Sequence, residues 1–239
     1  VIPRMGPNHE LGVFNNGVDS VQCALEERYF LCLIGGEYLP AIRTSVEVWN
    51  SNTLVRFRQL VVADVRPNAT VLTLQEVVKC YTGPKGRVYA AAARSLMRVA
   101  LNRRDAEQRP FTKFEKQSLL KALRLINPRS PRFNLVLGKY LKKAEKPYYR
   151  AINRVWGEHT PHTVIKGLNV FDAATVLKQK WDRFERPVAV GLDATKFDMH
   201  VSAEALRFEH SFYNRVFKSD ELAWLLALQV YNRGRAYCL

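Results

Sequence analysis

The stretch Pro187–Leu192 reads ProValAlaValGlyLeu and stops on an acid, Asp193. A short apolar run of this kind is the pattern of a strand buried on both faces or nearly so. Nothing else in the sequence limits the fold as much, because such a run belongs inside a sheet. An Asp at its C-terminal end sits where α/β sheets present ligands. Gly191 and Ala194 keep its surroundings free of bulk, and a turn across residues 194–197 would bring Asp198 back over the same end with Phe197 tucked into the core. Two carboxylates so placed suit magnesium, which takes one or two hard oxygens and completes its shell with water and phosphate. Two-metal phosphoryl transfer uses such a site to stabilise the attacking and leaving oxygens together. An Asp after a strand serves equally well as a turn residue bonded to the backbone two positions on. Spacing alone leaves both readings open.

Around this run the pattern is mixed. Residues 1–18 are rich in Gly, Asn and Pro and read as an extended lead-in, and Asp19 or Ser20 can cap a short helix through Arg28. TyrPheLeuCysLeuIle, then GlyGly at 35–36, then GluTyrLeu reads as a hairpin with a tight glycine turn. ThrSerValGluValTrp (44–49) alternates like a half-buried strand, and Leu54–Val62 does so less cleanly. From Gly86 the spacing predicts a helix, with Val88, Ala92, Leu96 and Val99 on its apolar face. Thr112 and Glu115 form a capping box for a helix through Leu125, which AsnProArgSerProArg (127–132) would end. Asp172 can cap a helix to Phe184. Ser202 can cap one whose apolar face is Ala205, Phe208, Phe212 and Val216, and Ser219 or Asp220 starts another. ArgAlaTyrCysLeu (235–239) reads as the first strand of a further element, so the sequence is expected to be part of something longer.

Charge is sorted along the chain. Of a net +15, residues 1–80 carry −1, residues 81–186 carry +16 and residues 187–239 carry none. A field gathered in one segment is suited to a polyanion. Arg124, Arg129, Arg132, Lys139, Lys142, Lys143 and Lys146 crowd its centre. Prolines 128 and 131 are expected to hold the two arginines between and after them extended and facing one side, where planar guanidiniums bind phosphate oxygens in pairs. Tyr140, Tyr148 and Tyr149 interleave with these cations and suit either base stacking or the core. The four cysteines form no CxxC pair and have no metal-ligand spacing to His159, His162, His200 or His210, which argues against a zinc site and a disulfide scaffold. No apolar run reaches the roughly 20 residues of a membrane span.

GlyLeuAspAlaThrLysPheAspMetHisValSer (191–202), followed by AlaLeuArgPheGluHisSerPheTyr (205–213), resembles motif A and the next helix of tombusvirus-like viral RNA-dependent RNA polymerases. Residues 126–142 resemble the fingers motif F of that family, and ThrValIleLysGlyLeuAsn (163–169) and GlyProLysGlyArgValTyr (83–89) are similar in kind. The resemblance departs at Thr195, Lys196 and Met199; the first two keep a hydroxyl and a cation, and Met199 stands where a Gln is usual.

This resemblance implies an α+β right-hand polymerase of a positive-strand RNA plant virus. Residues 1–80 would be a mixed α/β extension on the fingertip side, 81–186 the basic fingers, and 187–239 the start of the palm. No motif B string and no GlyAspAsp of motif C occur, so the piece is expected to be inactive alone. The implied metal is magnesium or manganese, held by Asp193 with the Ala194 carbonyl. Asp193 would be catalytic, and Asp198 would read the ribose 2′-hydroxyl. Arg132, Arg129 and Lys139 would hold nucleotide phosphates, and Arg87, Arg94, Lys142 and Lys143 would contact RNA. Implied partners are RNA template and product and nucleoside triphosphates. An auxiliary replication protein and a host membrane would be reached through other parts, at membrane-associated replication complexes in the host cytoplasm. Two alternatives remain on residues alone: a non-catalytic basic RNA-binding module, or another metal-dependent phosphotransferase drawing on Glu204 and Glu209.

Overall fold

Residues 11–119, 121–157 and 162–238 are described in a computed structural model, and helices carry most of them. Most of the lead-in and His159 lie outside the described residues. Strand β1 (Leu11–Gly12) leads to helix α1 (Val18–Leu25), which runs on into one π-helical turn at Glu26–Phe30. Strands β2 (Leu31–Ile34) and β3 (Glu37–Pro40) then pair antiparallel, Leu31 opposite Pro40 and Ile34 opposite Glu37. Gly35 and Gly36, at φ 60° and 88°, close this hairpin in a backbone region that favours glycine.

The two strands expected next are helices. Val46–Trp49 is α2 and Asn52–Val65 is α3, with the Ser51 hydroxyl accepting from the Leu54 N–H. Apolar alternation in these short windows also fits a helical stripe, and Val61, Val62 and Val65 complete it on the buried side. Helix α4 (Leu74–Lys79) starts on a capping box between Thr73 and Glu76. Helix α5 (Gly83–Arg98) points Ala92 and Ala93 inward, while Val88 and Val99 stay exposed.

The capping box read at Thr112 does not start a helix. Phe111–Thr112 is β4, Gln117–Ser118 is β5 and Leu125–Ile126 is β6; β4 pairs with β6, and β5 pairs with β1. The Glu115 carboxylate pairs with Lys113 and Arg124 across this bend instead of returning to a helix cap.

AsnProArgSerProArg begins a helix where it was expected to end one. The Ser130 hydroxyl accepts from the Phe133 N–H, Pro131 occupies the first turn, where a missing N–H costs nothing, and α6 runs from Pro131 to Val155. This 25-residue helix is the axis of the molecule. Its N-terminal half buries Phe133, Val136 and Tyr140 against Leu222, Leu225 and Leu226 of α10 (Asp220–Val230), the last helix. Leu135 packs on Ala92, Ala93 and Val77, and Gly138 lets α4 approach so closely that a Cβ there would lie 3.0 Å from a Val77 methyl. Its C-terminal half buries Ala144, Tyr148 and Ala151 against α3 and Val216. Each fully buried aromatic or branched side chain contributes about 1.5–3 kcal/mol on folding.

Helix α7 (Val170–Trp181) is capped by Asn169, with Asp172 inside its first turn. Helix α8 (Phe197–His200) is a single turn, and α9 (Ala203–Phe217) and α10 start at Ser202 and Ser219 as their spacing predicts. The C-terminal strand is not formed among the described residues; Gly234 makes one bridge to Gln108.

Candidate functional site

The run leading to Asp193 is the largest departure from expectation. Residues 188–193 pair with no strand among the described residues, and Val188, Val190 and Leu192 are 82%, 76% and 92% exposed. A strand needs neighbouring strands for its backbone bonds and packed layers for its two faces, and no strand among the described residues flanks this one. Asp193 is exposed with them. The turn at 194–197 does form, with Lys196 in the left-handed region at φ 50°. Phe197, however, is 64% exposed, and Met199 is the side chain that goes inside.

What fixes the turn comes from far away in sequence. Lys196 Nζ donates to the Glu27 carbonyl at 2.6 Å, and Arg43 Nε donates to the Met199 carbonyl at 3.3 Å. His200 Nδ1 donates to the Ile42 carbonyl at 2.7 Å, and the Cys32 thiol meets Met199 Sδ at 3.2 Å. Arg28 Nε lies 3.8 Å from Asp198 Oδ2. His200 thus anchors the loop. His210 is buried in α9, and burial pushes its imidazole below the ordinary value, keeping it neutral.

The basic segment divides into committed and exposed cations. Arg132 Nε donates to Asp105 Oδ1 at 3.0 Å, Nη1 to Ser95 Oγ at 2.6 Å, and Nη2 to the Val99 and Ala100 carbonyls at 2.8 and 2.9 Å. Four of its five N–H groups are therefore used to tie the head of α6 to the end of α5. Asp105 also accepts from the Ser130 hydroxyl at 3.1 Å. Arg129 bonds Asn232 and lies over the Phe133 ring, and burial lowers its pKa. Lys139 pairs with Glu221 at 2.6 Å. Arg129 and Arg132 do not project together; the helix turn begun at Pro131 separates them.

Exposed cations line the outer surfaces. Arg87 and Arg94 stand on α5, and Lys143 on α6. Lys142 and Lys85 lie 4.5 and 4.9 Å from the centre of the Tyr81 ring. An open groove of about 460 Å³ runs beside them, lined by Tyr81, Lys142, Tyr148, Tyr149, Glu209 and Tyr213 among others. Tyr140 and Tyr148 belong to the core, and Tyr149 is half-buried beneath Lys166. Arg124, just before β6, reaches solvent and shares Glu115 with Lys113.

No group of three His, Cys, Asp or Glu side chains that could hold a metal occurs among the described residues. Asp193 and a carbonyl do not by themselves make a divalent-ion site, so no step can be routed through one on this chain alone. Glu204 pairs with Arg207 and Glu209 accepts from Tyr213, so neither converges on Asp193.

A family profile described as viral RNA dependent RNA polymerase matches residues 1–239. The chain belongs to that family. It is 36% identical to the RNA-directed RNA polymerase of maize chlorotic mottle virus over 99% of its own length and 25% of that protein. It is 38% identical to that of tobacco necrosis virus strain A, covering 95% of this chain and 31% of the relative. The corresponding protein of carnation mottle virus is 43% identical over 70% of the chain and 22% of its own length. The chain thus spans about a quarter to a third of the first two relatives it matches. No solved structure matches. Within this polymerase family member, sequence reasoning missed Arg28, Tyr29, Arg43 and Asp105. The partners of Arg28, Tyr29 and Arg43 lie 98 to 170 positions away, and those that tie Asp105 to α6 lie 25 and 27 away, beyond any local pattern.

Proposed function

We propose that this chain is the fingers and the first part of the palm of an RNA-directed RNA polymerase, the palm beginning near residue 187. The family match across the whole chain carries this reading, supported by the gathering of positive charge into residues 81–186. In the complete protein Asp193 is a catalytic carboxylate, completed by acids on other segments, and a divalent ion such as magnesium supplies charge neutralisation at the transferring phosphate. The 188–192 run becomes a palm strand when its neighbours are present. Asp198 reads the ribose of the incoming nucleotide.

The exposed cations Arg87 and Arg94 of α5 and Lys143 of α6, with the half-buried Lys142 beside Tyr81, grip RNA backbone, a sequence-independent and salt-sensitive contact. Nucleotide phosphates are met by cations able to turn outward. Arg124 fits that role better than Arg132, which would have to leave four protein acceptors to reach a ligand.

In the full-length protein, Asp193→Asn abolishes nucleotide incorporation and leaves RNA affinity within about threefold, a difference under 1 kcal/mol. A variant that still incorporates nucleotides would overturn the assignment.

A further inference from the structure

The π-helical turn at Glu26–Phe30 touches both halves of the proposed site with consecutive side chains. Arg28 faces Asp198, and Tyr29 Oη accepts from Asn127 Nδ2 at 2.9 Å, at the turn that leads into α6. Two residues past Tyr29, the Leu31 N–H returns to the Glu26 carbonyl, the wide i→i+5 closure of a π turn. Such a turn inserts a residue into a helix and re-aims the side chains that follow, and these turns are frequent at functional sites. Burial first, and then the Asp198 charge, push the Tyr29 hydroxyl above its ordinary range, so it remains protonated. Glu27 and Cys32, on either side, hold Lys196 and Met199. The acid loop is therefore seated on residues 27–43, with Arg28 the cation of that seat that faces the Asp198 carboxylate.

We infer that Arg28 is a positioning and specificity-determining residue for sugar selection. Its guanidinium, 3.8 Å from Asp198 Oδ2, draws the carboxylate toward the π turn by charge, while Tyr29 fixes the same turn to the head of the basic helix. The inference rests on the proposed role of Asp198. An ion pair with one partner half exposed is weak as a source of stability, but orientation has more leverage than binding strength here. A carboxylate that rotates away from a 2′-hydroxyl loses the contact that separates ribose from deoxyribose, and sites that bond a hydroxyl discriminate against its absence.

The test uses the full-length polymerase and compares kcat/KM for each ribonucleoside triphosphate with that for its 2′-deoxy counterpart. Arg28→Gln, close in size and neutral, is expected to lower the ribose preference about tenfold, chiefly through the ribonucleotide KM. Arg28→Lys restores most of it. Arg28→Gln adds nothing further in an Asp198→Asn background, since the two act on one contact. Thermal unfolding of each variant separates these effects from loss of fold, and should Arg28→Gln not fold, the Arg28→Lys and Asp198→Asn ratios still decide. A ribose preference unchanged in Arg28→Gln but reduced in Asp198→Asn overturns the role of Arg28 and leaves the polymerase reading intact. An unchanged preference in Asp198→Asn overturns both the role of Arg28 and the assignment of Asp198.

Discussion

Helix α6 and the run before Asp193 both carry apolar side chains suited to a core, yet those of the helix are buried and those of the run stand in solvent. The helix closes its backbone hydrogen bonds within itself, so it needs neighbours only for its side chains, and α3, α4, α5, α9 and α10 supply them. A strand cannot close its own bonds. Val188, Val190 and Leu192 are suitable for a sheet interior, but no described strand lies beside them. A sequence can thus specify a strand whose formation depends on segments elsewhere, whereas a long amphipathic helix organises whatever is at hand.

The largest effect expected tests the well-packed side. Arg132→Ala leaves Asp105 buried with its strongest partner gone, which costs about 3–5 kcal/mol. Chemical unfolding of the variant should show a lowered midpoint. An unchanged midpoint with a raised nucleotide KM would return Arg132 to the ligand and break the contrast between its committed guanidinium and the open acid loop.

The second prediction turns on Leu192. In the 239-residue chain, Leu192→Ala should change stability by no more than about 0.5 kcal/mol, as expected of an exposed position. In the full-length protein the same change should cost about 2–5 kcal/mol, the range for truncating a buried leucine. Equal effects in the two proteins would mean that the strand never becomes buried.

The smallest effect belongs to the exposed cations. Arg87→Ala should weaken RNA binding uniformly across sequences and reduce the slope of log affinity against log salt by about 1. Filter binding across a salt series reads it directly. A slope unchanged by this substitution would place RNA elsewhere than on α5.

How much was legible in the sequence follows from the same physics. Ser202, Ser219 and the Gly35–Gly36 turn were readable because caps and tight turns are made by residues a few positions apart. The turn between Asp193 and Asp198 was readable, and it forms with Lys196 in the left-handed region. The head of α6 was misread because proline is both a helix terminator and a favoured first-turn residue, and only the Ser130 cap decides between them. The capping box at Thr112 failed for the converse reason: its local geometry was overridden by ion pairs and strand pairing across the bend. Arg28 and Tyr29 could not be found at all, since Asp198 and Asn127 lie 170 and 98 positions away.

The π turn carries one consequence for how the chain tolerates change in length. Successive residues of a helix point about 100° apart around its axis. Removing one residue between Glu26 and Phe30 would relax the turn to ordinary winding and swing the following side chains to new bearings. The guanidinium and the phenol would then lose their partners together, though both residues were still present. At the hairpin tip formed by Gly35 and Gly36, where no added side chain would meet anything within 4 Å, an extra residue has room to loop outward. Within a dozen positions the chain therefore passes from a stretch where spacing is fixed to one where it is free.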